Sequence, residues 1–450
     1  MHKLRLFGLI VVFFSHSIVS SLEIVSGATW TATNTGKHVQ SHGAGIINVD
    51  NVFYMIGEDK SDGPRNVVNC YSSSNLVEWN LEGAPLRMQG GDLGPGRVVE
   101  RPKVIYNKST RKYVMYMHID SGDYKEAKVG VATCDSVCGI YTYHKSFQPM
   151  GKQSRDMGLY QDDDGTAYLL SEDRQNGLHI FKLAKDYLSV SSMVYTWPEK
   201  FEAPAILKKD GTYFMFASRL SGWDANDNIY STASSLYGPW TLWQLFAPQG
   251  SKTFTSQTTY ILTVGRDTAI YAGDRWVGKN LMRSTYVWLP LRISGKKASL
   301  ENHPHWSVDI TTGSLTLGGK QELSYGAHTA TASGGARLVD CSGCSGKKSI
   351  GYIGGPSNGT IIFNSVKTSV AGRRTLVIKY TNGDKTQRFA EISVNGSPGQ
   401  TVAFLPSSDD ATPASSVAHL NLKEGINNIK ISAKDQSWGP NIDRLVVFDK

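Results

Sequence analysis

The chain has 450 residues, with 47 Lys and Arg against 39 Asp and Glu and a formal net charge of +8. That length provides core for two or three domains. The positive balance comes without an arginine-rich run or a nucleic-acid motif, so it reads as a solvated basic surface with no nucleic-acid partner. Weak attraction to acidic polysaccharide is the one binding consequence it leaves open.

The opening "MHKLRLFGLIVVFFSHSIVSS" has a basic start (His2, Lys3, Arg5) and a short apolar run, Leu6–Phe14, with Val19 and Ser21 suiting a small-residue cleavage site. Residues 1–21 are therefore expected to be a signal peptide, because the run is too short to span a membrane. No later segment is long and apolar enough to span. A secreted, extracellular protein without a membrane segment in its mature form is expected, and a monomer.

From residue 22 the chain repeats itself. Five stretches share one pattern: "SHGAGIINVDNVFYMIGED" (41–59), "ERPKVIYNKSTRKYVMYMH" (100–118), "RDMGLYQDDDGTAYLLSED" (155–173), "FEAPAILKKDGTYFMFAS" (201–218) and "SQTTYILTVGRDTAIYAGD" (256–274). Each is a short apolar strand, a polar turn and an alternating second strand, which is a β-hairpin. "NCYSSSNLVEW", "VATCDSVCGIYTY" and "YSTASSLYGPWTLW" add a Ser-rich bend and an outer strand. About four strands in every 45–60 residues is the dimension of a propeller blade. The expectation is an all-β chain whose residues 22–317 form a five-bladed β-propeller.

In that architecture the residue opening each inner strand points at one axial pocket. Read from the five copies, these are His42, Glu100, Asp156, Glu202 and Gln257. Acids at strand mouths often only hydrogen-bond turns or hold a structural cation; recurrence at equivalent positions favours a site. Carboxyls that close cannot all ionise alike, which separates their pKa values as acid/base chemistry needs. No Gly-rich phosphate loop, nucleophile elbow or His-x-x-x-His pattern is present. Paired carboxyls in a tunnel mouth suit glycoside hydrolysis, one delivering a proton to the leaving oxygen while an opposing group activates water or attacks. Tyr54, Tyr124, Tyr160, Trp223 and Trp276 lie in or near the following loops and are candidates to stack on sugar.

Secretion permits disulfides. Of the five cysteines, Cys134/Cys138 and Cys341/Cys344 are close local pairs and are expected to be small staples, leaving Cys70 odd and buried. No second Cys or His pair follows at zinc-finger spacing. The sequons at Asn107, Asn358 and Asn395 fit an extracellular surface. After Gly318–Gln321, read as a linker, the texture turns to Gly, Ser, Thr and Val with short alternating strands. Residues 322–450 are expected to form a β-sandwich of the jelly-roll kind.

"RDMGLYQDDDGTAYLL" and "EAPAILKKDGTYFMFAS" resemble the third- and fourth-blade signatures of glycoside hydrolase family 43. The resemblance implies an inverting five-bladed propeller with Glu202 as general acid and Asp156 modulating its pKa. The general base of that family is an Asp in blade one, where this chain reads "SHGAGII". "HGAGI", "VVERPKV", "HIDSGDY" and "SQTTY" are together similar to the exo-β-1,3-galactanase subgroup, in which a glutamine takes that place. The resemblance puts Gln257 first for it, acting as its imidic tautomer or orienting water, with Glu202 relaying charge. His42 is the better base by pKa alone. Glu100, Arg101, Tyr124 and His42 are then expected to contact the terminal galactose. The expected activity is release of galactose from the non-reducing end of β-1,3-galactan in arabinogalactan, with no cofactor required. Another family activity, arabinofuranosidase or xylosidase, and a non-catalytic galactan lectin are the alternatives. In the C-terminal third, "GARLVDCSGCSGKKSIGYIG", "RFAEISVNG", "LNLKEGINNIKI" and "GPNIDRLVV" resemble carbohydrate-binding module family 35. That likeness implies sugar contacts by Tyr352, Arg388 and Asn441 and a Ca2+ ion with Asp443 among its ligands. "YGAH" stands where such modules carry a calcium-binding Glu-Ala-Glu.

Overall fold

The computed structural model describes residues 22–61, 67–318, 321–409 and 411–449. The expected signal peptide, 1–21, lies outside them, as does part of the expected linker.

Five antiparallel four-stranded sheets follow one another along the chain. The first runs through His42–Val49, Val52–Glu58, Val68–Ser73 and Asn80–Leu86; the second through Arg97–Asn107, Lys112–Ser121, Lys128–Cys134 and Thr142–Phe147. The third is Met157–Gln161, Ala167–Asp173, Gly177–Leu183 and Val190–Trp197; the fourth Phe201–Lys209, Thr212–Arg219, Ile229–Ala233 and Gln244–Leu245. Gln257–Val264, Thr268–Arg275, Thr285–Ser294 and Lys297–Leu300 make the fifth. Sequence neighbours are spatial neighbours within each sheet, joined by short connections that run from two residues (50–51, 210–211, 295–296) to ten (234–243). Asp50 and Asn51 have φ of 52° and 64°, and Asp210 and Gly211 48° and 72°, the left-handed pairs that close a two-residue hairpin with the native twist.

Every sheet is buried on both faces. Successive residues of one strand feed opposite cores, the two-residue period of a pleated strand. Val104 and Met115 pack with Ile56 and Cys70 of the first sheet, while Ile105 and Val114 pack with Leu159 and Leu169 of the third. Leu170 and Ile180 join Ile206 and Met215; Leu207 and Phe214 join Ile261 and Tyr271. Leu262 and Ile270 of the fifth sheet pack with Ile46, Phe53 and Met55 of the first. The first strands of the five sheets line one common interior cavity of about 370 Å³.

The first strands share a further device. In the first, second and fourth sheets the register slips between His42 and Gly45, Glu100 and Lys103, and Glu202 and Ala205, and in the fifth between Thr258 and Tyr260. Gly43, Arg101 and Ala203 at these bulges have φ of 55°, 50° and 56°. Glycine takes that conformation freely; Arg101 and Ala203 hold it at a cost of order 1 kcal/mol each. The bulge breaks the alternation that would send Glu100 and Arg101 to opposite faces, and both line the same cavity.

Ile24–Val25 pairs with His305–Val308, which pairs with Leu315–Thr316. The next strand, Gln321–Gly326, pairs with Asn441–Asp449 of the C-terminal part. That part holds a six-stranded and a five-stranded antiparallel sheet. Ile378, Tyr380 and Leu445 of one face Phe363, Ile392 and Ile429 of the other across a single core. Thr29 backbone groups bond Ser415 and Val417, and Val377, Val417, Val446 and Phe448 enter the core between the fifth and first sheets. The two parts are therefore packed on each other.

The disulfide expectation is corrected in one place. Cys341–Cys344 forms as expected, but Cys138 bonds Cys70, across 68 residues, and Cys134 is the free thiol. The first and second sheets pack face to face, which brings Cys70 of one to the loop after the third strand of the other. Among the sequons Asn107 is buried, its amide nitrogen donating to Lys185 O at 2.8 Å, whereas Asn358 and Asn395 are exposed.

Candidate active site

At the end of the five first strands lies a cavity of about 230 Å³, lined by Glu58, Glu100, Arg101, Tyr124, Asp156, Glu172, Glu202, Trp223, Gln257 and Trp276 among others. It falls below the ~300–1,000 Å³ of pockets for drug-sized ligands and suits a single sugar ring. Of the five expected strand-opening residues, Glu100, Asp156, Glu202 and Gln257 line this one cavity.

Gln257 is held by four partners. Its Nε2 donates to Glu202 Oε1 at 2.9 Å and Ser218 Oγ at 3.1 Å. Its Oε1 accepts from Trp276 Nε1 at 2.9 Å and from Arg101 Nη2. Arg and Trp side chains only donate, so this network fixes which end of the amide is oxygen. Arg101 is buried and ties three groups together: Nε to Asp156 Oδ2 at 2.7 Å, Nη1 to Thr258 O at 3.1 Å, and Nη2 to Gln257. Its expected hydroxyl contact is thus secondary to a role in holding Asp156 and Gln257.

Asp156, Glu172 and Glu202 place carboxyl oxygens within 4.8 Å of one another. Burial, then the charges of Asp156 and Glu172, push the Glu202 carboxyl up to about 8, against Arg101 and Arg174. Burial and Asp156 push Glu172 up to about 7, opposed by Arg174. Desolvation and like charge favour the neutral acid, the condition a general acid needs near neutrality. Glu202 Oε1 takes the Gln257 hydrogen bond, leaving Oε2 to carry the proton.

On the facing wall the balance is reversed. Burial alone would raise Glu100, but Lys60 at 3.6 Å, His118 at 3.4 Å and the Tyr124 hydroxyl at 3.0 Å hold it down at about 2. His118 is raised to about 9, since Asp120 and Glu100 outweigh its burial. Glu100 is a fixed anion, able to accept hydrogen bonds from sugar hydroxyls. Trp223 and Trp276 meet edge to face at 5.1 Å, and Trp223 is 41% exposed at the rim.

His42 is a correction. It is fully buried, bonds Asp274 Oδ1 at 2.9 Å through Nδ1, stacks on Tyr286 at 4.8 Å and stands behind Trp276. It does not line the cavity, so the structure does not put it where a sugar contact or a water-activating group would stand. Glu58 from the neighbouring strand takes its place at the wall, accepting from Arg101 N at 2.8 Å. Tyr54 and Tyr160 are also displaced: Tyr54 packs against the core between the first two sheets, and Tyr160 lines the interior cavity.

The sequence reading missed a second ring of residues. Glu58, His118, Ser218 and Asp274 stand opposite His42, Glu100, Glu202 and Gln257 in the hairpin registers, and Glu172 stands beside Asp156. The signal was present, since every copy of the repeat ends on a polar residue where its second strand returns to the cavity.

On the C-terminal part, Tyr352 is 44% exposed and Trp438 47%, edge to face at 6.1 Å, with the Arg337 guanidinium 3.4 Å over the Tyr352 ring. Arg388 bonds Asp384 at 2.7 Å and Gly439 O at 2.9 Å, beside Trp438 in sequence. Asn441 abuts Gly351, next to Tyr352. Trp438 had not been singled out. Asp443 does not fit a calcium ligand. It is buried, one oxygen accepts from Ser345 N at 2.7 Å, and the other faces Arg444 at 3.5 Å. No cluster of three metal-ligating side chains gathers there among the described residues, and calcium takes six to eight oxygens.

Residues 39–262 match the model of glycosyl hydrolases family 43. The exo-β-1,3-galactanase of Phanerochaete chrysosporium, solved with β-1,3-galactotriose, is 38% identical over 95% of this chain and all of that one, with a TM-score of 0.67. The chain belongs to glycosyl hydrolase family 43. A second family 43 structure, a β-1,3-galactosidase with galactodeoxynojirimycin, is 31% identical over 63% of this chain and all of that one, with a TM-score of 0.60. Within this family 43 enzyme residues 360–447 match a different model, the CBM13 domain of α-galactosidase, so a carbohydrate-binding module is present but is not specifically of family 35. Curated relatives match over short stretches. The exo-β-D-glucosaminidase of Amycolatopsis orientalis is 29% identical over 29% of this chain and 12% of its own length. The endo-1,4-β-xylanase B of Cellvibrio japonicus is 31% identical over 20% and 16%.

Proposed function

We propose that this glycoside hydrolase is a secreted, monomeric exo-β-1,3-galactanase. It removes galactose from the non-reducing end of the β-1,3-galactan backbone of arabinogalactan, with inversion. The observation that carries the reading is Glu202, a buried carboxyl raised by Asp156 and Glu172 on the wall of a one-ring cavity. The Phanerochaete enzyme, 38% identical over its whole length, supports the substrate. The fold we read behind it is a five-bladed propeller followed by a β-sandwich module. Assignment of that module to family 35 rests on the four motifs quoted above.

The chemistry draws on the chain's own groups. Glu202 gives its Oε2 proton to the departing oxygen, and Asp156, held by Arg101, keeps that proton in place beforehand. Gln257 orients the attacking water and links it to Glu202 through the 2.9 Å hydrogen bond. Both lone pairs of its oxygen are taken by Arg101 and Trp276, so water reaches it by displacing one of them. If the oxygen accepts the water proton while Nε2 releases one to Glu202, the acid is restored and Gln257 is left as its imidic tautomer. Glu100 and Tyr124 take hydroxyls of the terminal galactose. Tyr352, Trp438, Arg388 and Asn441 hold the polysaccharide on the module.

Digestion of linear β-1,3-galactan, with proton NMR of the first product, tests this directly. α-Galactose as the first and sole early product is expected. Mixed oligosaccharides, β-galactose, or binding without release would each overturn it, the last in favour of a lectin.

A further inference from the structure

Glu172 has no place in the reaction as described, yet it is 1% exposed and lies in the wall of the catalytic cavity. It comes from the second strand of the third sheet, beside Asp156, and the two exchange backbone and side-chain bonds. Glu172 N donates to Asp156 O at 2.9 Å, and Asp156 N donates to Glu172 Oε2 at 3.1 Å. Its other oxygen accepts from Arg174 Nε at 2.8 Å. The same guanidinium then reaches forward, with Nη2 at 3.7 Å from Glu202 Oε2. Arg174 is 48% exposed by side chain, and its 2.8 Å bond to the buried Glu172 is the shorter of its two contacts with acids, so Glu172 is what anchors it. One carboxyl thus fixes the backbone of the modulator and the position of a cation 3.7 Å from the proton-bearing oxygen of the acid.

We propose that Glu172 is a positioning residue for the general acid, holding Arg174 and Asp156 and supplying a like charge that keeps the proton on Glu202. This rests on the reading of Glu202 as the acid. Two electrostatic effects follow, of opposite sign. Removing the Glu172 charge takes away a neighbour that favours neutral Glu202 and lets Arg174 swing toward it; both lower the Glu202 pKa. Removing Arg174 takes away a cation that favours ionised Glu202, and raises it.

The test uses full-length Glu172→Gln and Arg174→Met, with pH profiles of kcat/KM on β-1,3-galactobiose and calorimetric binding of galactose. For Glu172→Gln the alkaline limb is expected to move down by about one pH unit; for Arg174→Met it moves up by a similar amount. Galactose affinity should stay within about threefold in both, since neither residue is needed to grip the sugar. Limbs that stay in place, or that move the same way in both variants, overturn the proposal. So does loss of galactose binding together with activity, which marks a structural role. Glu172→Asp, which keeps the charge, should restore much of the wild-type limb. Failure of the underlying reading is distinguishable: Glu202→Gln would then retain activity, whatever the Glu172 variants do.

Discussion

Glu202→Gln should abolish hydrolysis and also stabilise the protein in alkali. A carboxyl raised from its ordinary 4.5 to about 8 keeps its proton in the folded state after the unfolded chain has lost it. The folded state binds more protons between those pH values, so unfolding free energy falls as pH rises through that window and is level on either side. At roughly 1.4 kcal/mol per pH unit, the ionised carboxylate costs the fold about 5 kcal/mol above pH 8. Glu202 is 4% exposed, so solvent screening takes little from this. Glutamine removes the titration and keeps an oxygen for the Gln257 hydrogen bond. Scanning calorimetry from pH 5 to pH 9 checks it. The variant should match wild type near pH 5 and melt about 5 °C higher at pH 9. A difference that stays constant across the range would refute the claim that Glu202 is held neutral by its surroundings.

Gln257→Ala should lower kcat by about a hundredfold or more, whereas His42→Ala should lower the melting temperature and leave kcat within about tenfold of wild type, both read from galactobiose kinetics and calorimetry. Cys70→Ser should cost about 4 kcal/mol of unfolding free energy in denaturant titration, since the Cys70–Cys138 bond closes 68 residues, and Cys134→Ser should cost under about 1 kcal/mol. Maleimide labelling of the unreduced protein followed by peptide mapping should find Cys134 alone. Trp438→Ala should weaken pull-down on insoluble β-1,3-galactan by about tenfold while galactobiose hydrolysis is unchanged, because the residue touches the module surface and not the cavity.

The five hairpins were legible because each carries its own turn chemistry and a strand pattern that no helix competes with. Their equivalence then located Glu100, Asp156, Glu202 and Gln257 without any coordinates. His42 shows where equivalence stops. Its slot in the repeat is right, but Trp276 stands in front of it and Asp274 draws the ring inward, contacts made by residues more than 200 positions away. The cysteines fail for the same reason. Three residues separate Cys134 from Cys138, yet sheet packing presents Cys70 instead. Glu58, His118 and Glu172 were visible as the polar ends of "GED", "MH" and "SED". Reading only the first strand of each hairpin left out the partner opposite it, although antiparallel pairing requires one.

The repeated bulge explains how five near-equivalent sheets make an asymmetric site. A strand that alternates strictly offers the cavity one side chain per two residues; a left-handed residue at the strand entrance offers two in succession. In the second sheet those two are Glu100 and Arg101, an anion for hydroxyls and a cation that ties Asp156 to Gln257. In the fourth the second is Ala203, which adds no charge beside the buried Glu202. In the first it is Gly43, whose missing Cβ leaves room for the Glu58 carboxylate, since a Cβ there would stand 2.3 Å from Glu58 Oε1. Gly43 thus leaves the Glu58 carboxylate free to stand at the wall beside His42. Asp156 stands before a strand that pairs without a slip, and Gln257 stands one residue before the slip of the fifth sheet, so acid, modulator and amide differ in environment through the backbone that presents each as well as through the residue that follows it.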